Sequence, residues 1–217
     1  IDQAGFNGLR ITHLQAQAMY DNVQPFVSEL EANLPKGSMI YQLPYVAYPH
    51  TPPVFQMESH QHLVPFVLSK DLRWSWPSLS SEGIQLNERL SRKPISDLAR
   101  DLAVLGYAGV WVDRNGYEDH GADIDRVFTR EIDGKVLISH NGRFVFFGLE
   151  KQVNRLNEEL SQSEIENRRM RLLHPPSQTV QTLPLPHSAY RVTISVVSPS
   201  LDYRINQIQK INVRLRN

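Results

Sequence analysis

In the middle of the chain, segments whose hydrophobic residues have the spacing of a helix alternate with apolar runs typical of strands. Apolar residues between 95 and 105 recur every three or four positions and predict a helix that Gly106 ends. The apolar run at 108–112 predicts a strand buried on both faces, and residues 122–132 predict a second helix. Two further apolar runs flank an Asn-Gly pair at 141–142, which is a strong hairpin signal. This order indicates an α/β protein, with an α+β arrangement as the alternative.

The residues before this region extend the prediction to a small mixed sheet flanked by helices. A helix is predicted over 24–33, with Asp21 or Asn22 as its cap. Strands are predicted over 38–45 and 70–76, separated by a long loop that is rich in proline and histidine. These elements add two further strands to the predicted sheet.

The residues after the hairpin predict a long helix and then a change of structure. Residues 150–173 form a charged segment with a thin apolar stripe, and we expect one continuous helix that a His-Pro-Pro sequence ends. Strict alternation near 190–196 and 211–215 predicts strands. We therefore expect an α/β domain over 1–176, while 177–217 form a β-rich appendage or begin a β-sandwich.

Composition excludes several functional classes. The 23 basic and 23 acidic residues give a formal net charge of zero, which argues against a nucleic-acid partner and against membrane binding by charge alone. No cysteine is present, so disulfides, thiolate metal sites and cysteine nucleophiles are excluded. Glycine-rich phosphate loops and metalloprotease motifs are absent from the sequence, and no cofactor is predicted. Because the chain begins without methionine or a leader, we expect it to be a piece whose membrane anchor lies elsewhere.

Three segments carry a resemblance to a known family. They are LPKGSMIYQLPY at 34–45, continued by Tyr-Pro at 48–49 and LRWSW at 72–76; GYAGVWVDRNGYEDHG at 106–121; and SHNGRFVFF at 139–147. In this order they resemble the extracytoplasmic C-terminal portion of bacterial polytopic sugar transferases or translocases of the type C glycosyltransferase kind. The chain departs from the family pattern at His50, where the family has Glu, and at Trp76-Pro77, where it has Tyr-Gly.

The resemblance implies a location and partners. It places the domain on the periplasmic side of the bacterial inner membrane, attached to a membrane-embedded part outside this sequence. In the family, the membrane part takes a sugar from a polyprenyl-phosphate carrier, and its catalytic carboxylate lies between membrane helices. The resemblance therefore implies that this domain binds a glycan or polyprenyl-linked sugar, or braces the membrane part, without breaking bonds.

The polar loop after the buried strand contains the first group of candidate site residues. Ligands of open α/β sheets bind beyond the carboxyl ends of the strands, which is where Asp113 and Arg114 are predicted to lie. Asp113 with Glu118 or Asp119 would supply the two carboxyl groups of a glycosidase, or Asp113 and Tyr117 would bind a sugar. The structural alternative is that Asp113 and Arg114 make ion pairs and hydrogen bonds that fix the following turn.

The second group of candidates lies in the segment 73–76. On an extended chain Trp74 and Trp76 point to the same side, where they would form a platform for a sugar ring beside the phosphate-binding Arg73. If buried, the two indoles are core residues, and we expect at least one to be buried.

Five histidines raise the question of a metal site. His60 and His62 would point the same way on a strand, and His50, His120 and His140 are the further ligands available. Nothing in their spacing fixes the geometry that zinc requires, so no metal site is predicted.

Three functions remain open at this stage. The first is an accessory domain of a membrane glycosyltransferase-like protein that acts on cell-surface glycans. The second is a free-standing carbohydrate-active enzyme that uses Asp113, and the third is a partner-binding module that docks through the helix at 150–173.

Overall fold

The computed structural model of the protein describes residues 3–48, 53–58, 60–175, 193–196 and 213–216. The chain divides into two compact units, Ile1–Pro175 and Pro176–Asn217. The helices described in the first unit are α1 (Gln3–Asn33), α2 (Leu63–Leu68), α3 (Ser81–Ser91), α4 (Ile95–Leu105), α5 (Ala122–Val127), α6 (Glu150–Glu159) and α7 (Gln162–Leu173). Its strands are β1 (Met39–Leu43), β2 (Arg73–Trp74), β3 (Tyr107–Asp113), β4 (Val136–Ile138) and β5 (Phe144–Gly148).

These five strands form one mixed sheet in the order β2-β1-β3-β5-β4. Strand β1 runs parallel to β2 and β3, so that Leu43 lies beside Val112. Strand β5 runs antiparallel to β3 and to β4, and the predicted hairpin joins β4 to β5. The parallel strands are connected through helices. The α/β fold with a small mixed sheet is therefore confirmed.

Hydrophobic clusters cover both faces of the sheet, because successive side chains of a strand point to opposite sides. In β3, Trp111 belongs to the cluster on the α1 side, whereas Val110 and Val112 belong to the cluster on the α4 side. The buried residues of the first cluster are Val23, Phe26, Val27, Leu30, Ile40, Trp111, Phe144 and Phe146. Burial on both faces fixes the register of β3 and hence the position of the loop that follows it.

The first helix is longer than the sequence predicts. It begins at Gln3 and passes through Pro25, so the predicted start at 24 with a cap at Asp21 or Asn22 is wrong. Proline inside a helix removes one hydrogen bond and favours the first turn, which is why the pattern indicated a start there. The packing of Phe26 and Leu30, both almost fully buried on the sheet, offsets that loss.

The charged segment 150–173 forms two helices, so the prediction of one continuous helix is wrong. Leu160 is extended between α6 and α7, and Ser161 begins the second helix with a capping box closed by Glu164. The apolar stripe of the segment is not bare, because Leu156 and Ile165 pack against α4. A bare apolar stripe would have favoured a docking surface on this segment, and these two residues do not provide one.

Two further helical segments differ from the prediction. Helix α3 was missed, and it begins where Ser80 accepts a hydrogen bond from the backbone N–H of Gly83. The helix predicted over 122–132 is α-helical over Ala122–Val127 and continues as a π-helical turn over Phe128–Ile132. The chain turns after this segment, where Asp133 has a left-handed backbone conformation.

In the second unit, β6 (Thr193–Val196) pairs antiparallel with β7 (Val213–Arg216). The rest of 177–217 lies outside the described residues, and so does the prediction that this segment begins a β-sandwich. Among the helices that the structure describes, none has both the length and the apolar character needed to cross a membrane.

Candidate functional site

The carboxyl ends of β1, β2 and β3 meet at one edge of the sheet because these strands are parallel. Pro44 follows β1, Ser75 follows β2, and Arg114 follows β3. Gly116 packs so closely on Pro44 that a Cβ atom at this position would clash with the proline ring. The loops after β1 and β3 are thus in direct contact, and together they form the edge where α/β proteins bind ligands.

A buried hydrogen-bond network joins the loops at this edge. The side chain of Gln42 donates from Nε2 to the backbone oxygen of His62 (3.0 Å) and accepts at Oε1 from the backbone N–H of Trp76 (3.0 Å). The backbone N–H of Gln42 donates to Ser75 Oγ at 2.9 Å, and Asn87 Nδ2 donates to the backbone oxygen of Ser75 at 3.2 Å. One side chain of β1 therefore fixes the segments after β2 and before α2.

His62 takes part in this network as a buried imidazole. Its ring is 2% exposed, and Nε2 lies 2.8 Å from the backbone oxygen of Pro44. Because a carbonyl oxygen only accepts, Nε2 carries the hydrogen. Burial lowers the pKa of His62, an effect opposed by the Pro44 hydrogen bond and the negative charge of Asp113 and reinforced by Arg143.

A small cleft opens beside this network. The residues that line it are Gln42, Tyr45, Val46, Tyr48, His62, Ser75, Trp76, Ser78, Ile84 and Asn87. Its free volume of about 10 Å³ is close to the minimum that holds one water-sized group. Tyr48 is 36% exposed and meets Trp76 edge to face, with ring centroids 5.5 Å apart. The cleft thus combines amide and hydroxyl groups with a partly exposed aromatic ring.

Asp113 lies next to the network but does not face solvent. Its side chain is 1% exposed and forms a two-pronged ion pair with Arg143, from Nε to Oδ1 at 2.8 Å and from Nη2 to Oδ2 at 2.7 Å. Oδ1 also accepts from the backbone N–H of Asn115 at 3.0 Å. Arg143 reaches Gln61 as well and lies over the ring of Phe144. Both carboxylate oxygens of Asp113 therefore hold the loop in place.

The other candidates of this loop also have structural contacts. Arg114 pairs with Asp125 and donates to the backbone oxygen of Gly142, and such contacts are what the structural alternative for Asp113 and Arg114 predicts. Asp119 is exposed and accepts from two backbone N–H groups, and these bonds lower the pKa of its carboxyl group.

Tyr117 packs on the core of the α4 side, and burial raises the pKa of its hydroxyl. Glu118 is exposed. In the described part of the chain, the side-chain partner of Asp113 is Arg143 and not Glu118 or Asp119.

The two indoles of the segment 73–76 do not form a common platform. Trp74 packs against Trp111 on the α1 side of the sheet, with centroids 5.4 Å apart. Trp76 is 5% exposed and belongs to a separate cluster at the cleft, so the expected burial of one indole is confirmed. Arg73 is exposed on the edge strand.

The histidines are dispersed. His62 is buried, the ring of His60 lies against Trp76, and His120 and His140 are exposed. The prediction about His50 lies outside the described residues. Within the described ranges, no group of three or more His, Cys, Asp or Glu residues is placed to hold a metal ion.

Of the seven residues predicted for a site, Trp76 lines the cleft and the others do not. Sequence reasoning missed the roles of Gln42, Ser75, Ser78 and Asn87. A signal was present for two of them, because Gln42 and Ser75 lie in the segments that carry the family resemblance. Asn87 was missed together with α3, the helix that positions it.

Comparison of the chain with known protein families, curated proteins and solved structures finds no match.

Proposed function

We propose that this protein is a carbohydrate-recognition domain that binds a sugar at the cleft without cleaving it. The observation that carries the proposal is the composition of the cleft. A partly exposed aromatic ring, Tyr48, stands beside amide and hydroxyl groups of Asn87 and Ser78 at the carboxyl edge of the parallel strands. Sugars bind by stacking on aromatic rings and by hydrogen bonds from such groups.

Binding rather than catalysis fits the chemistry of the edge. The described residues that line the cleft include no carboxylate. Glycoside hydrolysis needs two carboxyl groups across the substrate, and the nearby Asp113 is buried in an ion pair. The geometry therefore gives no support to the alternative of a free-standing enzyme that uses Asp113.

The resemblance supplies the proposed context. The domain would lie on the extracytoplasmic side of the bacterial inner membrane, as part of a larger sugar transferase-like protein. Its role there would be to hold a glycan or polyprenyl-linked sugar near the membrane-embedded part, which would perform the transfer.

Calorimetric titration with neutral oligosaccharides tests the binding function. Tyr48→Ala removes the stacking face and should weaken binding about twofold to tenfold, on the order expected for one aromatic contact. The matched control is Tyr20→Ala, because Tyr20 is also a half-exposed tyrosine but lies on α1. Equal loss in both variants, or no binding by the wild-type chain, would contradict the proposal.

Fractionation of native cells tests the context. An antibody against this chain should detect a membrane-bound protein much larger than 24.9 kDa that only detergent releases. A soluble band near that mass would exclude the membrane context and leave the binding function to stand alone.

A further inference from the structure

The indole N–H of Trp76 is a buried donor without an acceptor in the described part of the chain. The residue is 5% exposed, and its ring lines the cleft beside Tyr48. A buried donor that makes no hydrogen bond costs on the order of 1–3 kcal/mol relative to a satisfied one. Such a group is therefore a feature that a ligand atom would stabilise.

Trp74 provides an internal comparison. Its indole N–H is also buried and without an acceptor, but its ring packs on Trp111 inside the core of the α1 side and does not line the cleft. Trp76 differs because it lines the cleft, whose free volume of about 10 Å³ is close to that of one oxygen-sized group. Of the two indole donors, that of Trp76 is therefore the one that a ligand in the cleft would meet.

The absence of charged residues in the described lining of the cleft favours an uncharged ligand oxygen over a charged one. No Lys, Arg, Asp or Glu is found among the described residues that line it. His62 is the one titratable base among these described residues, and burial lowers its pKa, which favours the uncharged imidazole. A carboxylate or phosphate would lose its hydration without meeting a cation, whereas a hydroxyl oxygen would not carry that cost.

We propose that the cleft selects neutral sugars, and that one hydroxyl oxygen of the sugar enters the cleft and accepts a hydrogen bond from Trp76 Nε1. The inference rests on the proposed carbohydrate-binding function and specifies its ligand class. Because the free volume of the cleft is only about 10 Å³, the cleft would take a single hydroxyl group, and the sugar ring would lie outside it, against the partly exposed Tyr48.

Nuclear magnetic resonance of the 15N-labelled full chain tests this directly. The chain has three tryptophans and hence three indole N–H signals, which Trp74→Phe and Trp76→Phe assign. The probes are glucose, galactose, mannose and N-acetylglucosamine, compared with glucuronate and glucose 6-phosphate. We expect the neutral sugars to move the Trp76 indole signal and to leave those of Trp74 and Trp111 in place.

The two substitutions then serve as a matched pair in binding. Trp76→Phe keeps an aromatic ring but removes the donor, and should weaken binding about fivefold to tenfold, as for one lost hydrogen bond. Trp74→Phe should leave affinity within about twofold, because the ring lies in the opposite cluster. Thermal unfolding of both variants identifies any loss that comes from misfolding.

The outcomes separate the two proposals. If amide signals of the cleft move while the Trp76 indole signal stays fixed, the sugar-binding function holds and the hydroxyl contact is refuted. Tighter binding of glucuronate or glucose 6-phosphate refutes the selection of neutral sugars. If no signal of the cleft moves with any sugar, both the proposed function and this inference are refuted.

Discussion

Asp113 and Arg143 form an ion pair in which two guanidinium nitrogens meet the two carboxylate oxygens at 2.8 and 2.7 Å. Asp113 ends β3, and Arg143 precedes β5, so the pair joins the loop after the central strand to the hairpin turn. Asp113 is 1% and Arg143 17% exposed, so neither charge is well hydrated. Arg143 also donates to Gln61, the residue that precedes His62, so the pair is linked to the segment before α2.

Breaking this pair from one side should strongly destabilise the fold. Asp113→Ala leaves Arg143 partly buried without its partner, and the free energy of unfolding should fall by about 3–5 kcal/mol in denaturant titration. The double variant Asp113→Ala/Arg143→Met should lose clearly less than the sum of the single losses. The exposed pair of Lys151 and Asp133 is the control, and its removal should leave stability almost unchanged. Additive losses at Asp113 and Arg143 would show that the pair is not coupled.

The buried neutral His62 predicts a dependence of stability on pH. Its pKa in the folded protein lies below the ordinary value of 6.5, so the unfolded chain binds a proton more readily than the folded one. The contribution of His62 to stability is therefore complete above pH 6.5 and is lost as the pH falls from there through the folded pKa. His62→Gln should remove this part of the pH dependence, measured as unfolding free energy between pH 7.5 and about 5.

The exposed His140 is the matched control for this experiment. His140→Gln should leave the pH profile of stability unchanged, because His140 is exposed and keeps its contact with water in the folded protein. An identical profile for the wild type and His62→Gln would contradict a neutral, buried His62.

The contact of Ser78 with α3 predicts a substitution whose effect depends on the Ser78 side chain. A Cβ atom at Gly83 would clash with Ser78 Oγ, while it would lie at an ordinary 3.7 Å from Ser78 Cβ. Gly83→Ala should therefore destabilise the wild type by about 1 kcal/mol or more. With Ser78→Ala, the closest remaining atom would be Ser80 Oγ at 3.1 Å, so the same change should cost clearly less than in the wild type. Equal effects in both backgrounds would place Ser78 elsewhere.

The capping box of α7 predicts where the charged segment separates into two helices. Ser161→Ala removes the side chain that accepts from the backbone N–H of Glu164, at a cost of about 1 kcal/mol. Hydrogen exchange should become faster in the first turn of α7. Ser163→Ala is the control, because its hydroxyl contacts Ser161 and caps no backbone group. If hydrogen exchange in the first turn of α7 stays as slow in Ser161→Ala as in the wild type, the capping box does not stabilise the start of this helix.

The elements that sequence reasoning located are those whose pattern is local. Helix α4, β3 and the hairpin were located because periodic apolar residues, Gly106 and the Asn-Gly pair act within a few positions. The start of α1 was not located, because packing of Phe26 on the sheet overrides the local preference of Pro25. The break at Ser161 was readable from its Ser-x-x-Glu spacing but was outweighed by the charge pattern.

The candidate site was less accessible from the sequence because it depends on contacts between distant segments. Trp76 was identified, but the network that holds it joins Gln42 to a residue 34 positions away. Asp113 was recognised as either a structural or a binding residue, and its contact with Arg143, 30 positions away, identifies its structural role. Asn87 points to the network from α3, a helix whose buried polar residue interrupts the apolar pattern that would have revealed it.

A crystal structure of the full chain soaked with a neutral oligosaccharide tests the central claim most directly. The account predicts a sugar ring beside Tyr48 and one of its hydroxyl oxygens within hydrogen-bond distance of Trp76 Nε1. A sugar bound at Arg73 and Trp74, or at the loop of Asp113, with the cleft unchanged, would contradict it.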